Sequence, residues 1–378
     1  MNRVKQVNKV FLTTVLLSIL GSYIIDAFVT KLTDNYFIVL LFSQLVLIVP
    51  SVIYLVASKV NIASAIRFKK IKFSNIILII VFSYLITPLM NLINAFSMMY
   101  VQNNTMDVMN NIVRNNGLLL SLFIVALVPC ILEESVYRGI FYNEYSKISP
   151  LKGMLLSGFL FGIMHGNLNQ FSYAFAMGVI FALLIEATDS ILATMIVHFF
   201  INGTSIVLLS LYPKLLQIFE EIYGTEQFNA DALMDSINSG IGDTLSFGYI
   251  ISTYGIAAVI GTILAFIVYK TIAKNCGRWE HVKSIFKKGQ NTINNQAQAI
   301  QENDIDGVVV IDNKEQFTSV TEYPRGKKHL VTISLVFGIL ICIGLMIMNE
   351  LPITDAQVPD QTIEEFYNIV LNSIRIFK

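Results

Sequence analysis

Residues 128–142 read VPCILEESVYRGIFY: two adjacent carboxylates and an arginine inside an apolar run of membrane-crossing length. A charge at bilayer depth costs from about 2.5 to more than 10 kcal/mol, so Glu133, Glu134 and Arg138 need a reason to be there. Helical geometry divides them. Glu134 and Arg138 are four residues apart, share a face and can form an intrahelical ion pair. Glu133 points about 100° away from Glu134 and has no cation three or four residues on. One acid is neutralised by structure and the other is left free.

The chain around this stretch is built for lipid. Of its 378 residues 54% are hydrophobic and 14% charged, with a mean hydropathy of +0.64, whereas a soluble domain has roughly 25% charged residues. A hydrocarbon core of about 30 Å needs roughly 20 apolar residues per helix. That predicts spans at 10–29, 36–57, 75–99, 118–142, 152–166, 170–187, 190–212, 247–270 and 330–349. The expected fold is an all-α polytopic integral membrane protein of about nine transmembrane helices. Spans four to seven, joined by tight connections, form its core bundle.

Lysine and arginine set the direction, because positive charge stays on the cytoplasmic side. With the N-terminus cytoplasmic, 20 Lys and Arg fall inside and five outside, leaving Arg138 alone within a span. The expected organisation is N-terminal helices over 1–114, a core over 115–212 and an extracellular loop over 213–246. A helix at 247–270, a polar cytoplasmic insertion at 271–329, a helix at 330–349 and an extracellular amphipathic tail at 350–378 follow. Within the insertion, VVVID is expected to form a short strand. The first span reads as an uncleaved signal anchor of a multi-pass protein of the cell membrane, with a bacterial plasma membrane expected. Cys130, Cys276 and Cys342 have no paired or metal-like spacing. Pro129 is expected to kink the fourth helix and free a backbone carbonyl.

Two of the four histidines lie in spans: His165 in FLFGIMHGN and His198 in ATMIVHFFIN, with Asn202 four residues after His198 on the same face. Glu133, His165, His198 and Asn202 thus come from three helices and suit one shared polar cavity.

EESVYR (133–138), FGIMH (161–165) and HFFIN (198–202) resemble, in order, the EExxxR, FxxxH and HxxxN/D motifs of the CAAX-protease and bacteriocin-processing (CPBP, or Abi) family of intramembrane proteases. The resemblance covers about residues 115–210. It implies an intramembrane endopeptidase in which Glu133, with His165, activates a water. His198 and Asn202 would stabilise the oxyanion, and Glu134 with Arg138 would hold the helix. Two readings of the chemistry stay open: a glutamate-activated water without tightly held metal, or a catalytic zinc or other divalent ion on Glu133, His165 and His198. The expected partners are the lipid bilayer and a membrane-associated peptide or protein substrate, with no nucleic acid. The competing readings are a transporter using the buried groups as a proton or ion relay, and a non-catalytic bacteriocin-immunity scaffold. Transporters usually carry repeats, and the sequence shows none.

Overall fold

The computed structural model describes residues 3–29, 36–59, 62–101, 105–224, 247–287 and 329–350. All regular structure among them is helical. The elements are α1 (Arg3–Ile24), α2 (Tyr36–Ala57), α3 (Phe73–Met98), α4 (Thr105–Ser121) and α5 (122–146). They continue as α6 (Pro150–Ile163), α7 (Leu168–Thr188), α8 (Ile191–Tyr223), α9 (Ile251–Asn275), α10 (Trp279–Phe286) and α11 (Ile333–Glu350). Eight helices among the described residues are long and apolar enough to cross a membrane, and α6, with 14 residues, is a ninth and shorter apolar helix. The protein is an all-α polytopic membrane protein. Its lipid-facing surface is apolar: on α9, Ile256, Val259, Ile260, Ile263, Phe266 and Ile267 are all exposed at helical spacing.

Two departures from the expected spans have local causes. The stretch before the fourth span is helical from Thr105, then breaks at Gly117, whose φ of 70° lies in the left-handed region open to glycine. The seventh span does not stop at 212: α8 runs through Pro213 to Tyr223, so the expected outer loop 213–246 begins as helix. VVVID and the tail after Glu350 lie outside the described residues.

Hydrogen bonds sort the helix ends into two faces. On the face carrying most of the basic residues, Asn8 accepts from the Tyr145 hydroxyl (2.7 Å) and donates to the Leu330 carbonyl (2.8 Å), while Asn275 donates to Asn75 (3.0 Å). On the opposite face, Ser97 donates to the Leu168 carbonyl (3.2 Å) and Glu350 accepts from the Leu168 amide (3.0 Å).

The core helices α6 and α7 meet through glycines. A Cβ at Gly178 would lie 2.4 Å from the Gly158 Cα, and one at Gly162 would lie 2.9 Å from the Phe171 carbonyl oxygen. Small residues let membrane helices approach closely enough to gain packing that lipid cannot supply. Gly178→Ala is therefore expected to cost roughly 1–3 kcal/mol by overpacking, read as a lower Tm in detergent. Gly344→Ala, which meets nothing within 4 Å, should leave Tm unchanged.

Candidate active site

The helix carrying Glu133 is not regular. Wider π-type turns at Leu122–Leu127 and Ser135–Tyr142 bracket the α-helical Val128–Glu134, and such turns recur at functional sites. Pro129 accounts for part of this. It has no N–H to give to the carbonyl four residues back, that of Val125, and Asn202 on α8 donates to that carbonyl instead (3.1 Å). The carbonyl expected to be freed by Pro129 thus fixes a catalytic-motif residue.

Glu134 and Arg138 form the expected ion pair, 3.1 Å apart with both side chains fully buried. The guanidinium also lies over the rings of Phe161 (4.3 Å) and Phe181 (5.0 Å), a favourable cation–π arrangement. Sequence reasoning missed a third partner: His198 Nδ1 lies 3.0 Å from the same Glu134 oxygen.

Glu133 diverges from Glu134 as expected, but it is not free. Gln44 on α2 donates through Nε2 to its Oε1 (3.1 Å), and its Oε2 faces His198 Nε2 at 3.8 Å. Nothing in the sequence tied Gln44 to the site, because it lies 89 residues away in an apolar helix. A hydrogen bond to a charged group is worth about 1.5–3 kcal/mol. Gln44→Leu should therefore slow any turnover that depends on Glu133 roughly tenfold to a hundredfold, mainly in kcat, while Gln44→Asn retains a donor and part of the rate.

The histidine tautomers follow from their acceptors. His165 Nδ1 is 2.8 Å from the Phe161 carbonyl. A carbonyl and a carboxylate only accept, so Nδ1 carries the proton in both His165 and His198. In its neutral form each ring then turns an unprotonated Nε2 away from its anchor, able to accept a proton or a hydrogen bond.

Glu133, His165, His198 and Asn202 all line one cavity of about 700 Å3, between α2, α3 and α4 on one side and α5 to α8 on the other. The sequence-predicted set is therefore brought together. It does not form a metal site as placed: among the described residues, no three His, Cys, Asp or Glu side chains converge closely enough to hold an ion. Glu133, His165 and His198 do not fit a metal in this arrangement. Cys130 is buried and donates to the Leu127 carbonyl (3.1 Å), a structural position outside the cavity lining.

Residues 115–204 match the model of a family described as Rce1-like, type II CAAX prenyl endopeptidase. Over 95 residues the chain is 33% identical to a Bacillus subtilis (strain 168) protein named "Putative membrane peptidase YdiL". That alignment covers 25% of this chain and 38% of the relative, so the chain matches well under half of the relative's length. No solved structure matches the chain. The resemblance to the CAAX-protease and bacteriocin-processing family is borne out for this core, which contains all three motifs and with them Glu133, His165, His198 and Asn202 but not Gln44.

Proposed function

We propose that the protein is an intramembrane endopeptidase of the cell membrane, oriented with its N-terminus in the cytoplasm, that hydrolyses a peptide bond through a Glu133-activated water. The observation that carries this reading is the 3.8 Å gap between Glu133 Oε2 and His198 Nε2 at the cavity wall. It is too long for a direct hydrogen bond and suits one bridging water. Such a water donates one hydrogen to Glu133 and the other to His198, turning its lone pairs toward a scissile carbonyl. Glu133 takes the proton as the oxygen attacks, then returns it to the leaving amine. Asn202 Nδ2 gives one hydrogen to Val125, and its second is available to the oxyanion of the tetrahedral intermediate. His165 presents a further Nε2 acceptor to the same cavity.

Glu134 and Arg138 act through position. The pair neutralises itself in the membrane, and Glu134 holds His198 in the tautomer the water needs. The motif match over 115–204 supports peptidase chemistry over ion transport, as does the absence of a sequence repeat. The test compares the peptide content of membranes from cells expressing the wild type and the Glu133→Gln protein. A peptide cut only by the wild type is expected. Identical profiles, together with concentrative uptake in liposomes, would overturn the reading in favour of a transporter.

A further inference from the structure

The two faces of the protein are built differently. At the basic face, the buried Glu186 gathers groups from three other segments of chain. Arg67 donates to its Oε1 (3.0 Å), as does the Tyr142 hydroxyl (2.8 Å), while His281 approaches its Oε2 (2.5 Å). Arg278 donates to its backbone carbonyl (2.7 Å). The same Arg67 also binds Asn143 (2.9 Å) and Ser146 (3.1 Å), and beside it Lys69 pairs with Asp189. Glu186 and Asp189, beside the tight turn between α7 and α8, are bonded to the segments packed against them. This end of the bundle is stapled shut.

The cavity lies toward the other face. None of its lining residues belongs to the basic-face connections 58–72, 143–149 or 189–190. The lining residues nearest that face are Tyr137, six residues before the connection 143–149, and His198, roughly 10 Å along α8 from its first residue, Ile191. The remaining walls run toward the opposite end: Asn91 and Asn94 late in α3, Asn169 and Gln170 at the start of α7, and Leu208 and Tyr212 far along α8. Asn91 is exposed although it lies in a membrane-spanning helix.

Three amide atoms of lining residues are buried without a partner: Gln44 Oε1, Asn94 Oδ1 and Asn169 Nδ2. Two are acceptors and one is a donor. Buried polar groups are normally paired. An extended peptide, lipid-modified or not, presents both N–H and C=O groups along its length, whereas a bare isoprenyl or acyl chain presents neither.

We infer that this cavity takes an extended peptide segment that enters from the face opposite the basic one, which is the non-cytoplasmic face by the charge rule. The inference rests on the peptidase reading of the site but deepens it: the substrate is an exported or outer-leaflet peptide, not a cytoplasmic tail. The apolar walls, with Leu40, Leu47, Met90 and Met177 among them, hold its side chains, and the unpaired amides meet its backbone.

The test is independent of hydrolysis, because it is run in the Glu133→Gln background. Asn91→Cys and Tyr173→Cys are each treated with a membrane-impermeant maleimide in right-side-out and in inverted vesicles. The native Cys276, half-buried at the basic face, is the internal reference. Both introduced thiols should label only in right-side-out vesicles and Cys276 only in inverted ones. Labelling of the introduced thiols together with Cys276 in inverted vesicles, or in neither preparation, overturns the sidedness. A capped leucine–alanine decapeptide added outside should slow their labelling severalfold, and S-farnesylcysteine methyl ester should not. Any other pattern overturns the peptide assignment. A wild-type protein that cuts nothing in the membrane would undermine the peptidase reading while leaving these labelling results standing.

Discussion

Replacing Glu133 with glutamine is expected to slow cleavage of the natural substrate by roughly 10²–10⁴-fold and to leave the protein folded. The substitution is nearly isosteric. An amide oxygen at this position can still accept from Gln44 Nε2, so the side chain keeps its bond to α2. What changes is the other atom. An amide N–H₂ would face His198 Nε2 where Glu133 Oε2 now stands 3.8 Å away, and it cannot take a proton from a bridging water. The loss should appear in kcat more than in KM, since the amide-lined wall of the cavity is untouched. Tm in detergent should match the wild type, because among the described residues Glu133 forms no ion pair with Lys or Arg. A variant with wild-type turnover would remove Glu133 from the chemistry and with it the proposed mechanism.

The parts of this fold and site that were legible in the sequence are those that depend on near neighbours. Hydropathy placed the spans because a lipid-crossing helix needs an apolar run of fixed length. The Glu134–Arg138 pair followed from a four-residue spacing, and the vacant Val125 carbonyl from the chemistry of Pro129. The helix at 105–116 escaped because its asparagines and neighbouring Gly117 read as loop. The extension of α8 escaped because hydropathy marks only the apolar part of a helix, and the turns after 212 carry charged residues.

The missed contacts are all between distant segments. Gln44 is one polar residue in an apolar helix, and a lone amide there has no periodic signature. His198 was legible as a candidate, but its bond to Glu134 joins residues 64 apart and depends on how α5 and α8 pack. The role of Glu186 was hidden because Arg67 and the stretch holding Arg278 and His281 come to it from two other places in the chain. Its consequence is functional, since stapling the basic face leaves the cavity with the opposite side as its approach.

Arg138→Met is expected to cost about 3–5 kcal/mol of stability, the range for removing one member of a buried ion pair. The wild-type arginine sits 3.1 Å from Glu134 with no solvent on either side chain. Methionine fills much of the same volume between Phe161 and Phe181 but leaves the carboxylate without its cation. A large fall in Tm and poor recovery from detergent extraction should follow. The double variant Glu134→Gln/Arg138→Met separates charge from shape. No ion is left buried in it, so most of the lost stability should return, as it does when buried pairs are replaced together. The amide introduced at position 134 can still accept from His198 Nδ1, so the imidazole keeps its tautomer and part of the activity should survive. A single variant as stable as the wild type would mean that the charge of Glu134 is satisfied elsewhere. A double variant that is stable but inactive would instead show that His198 needs a full negative charge behind it, shifting Glu134 from holding the ring to raising its basicity.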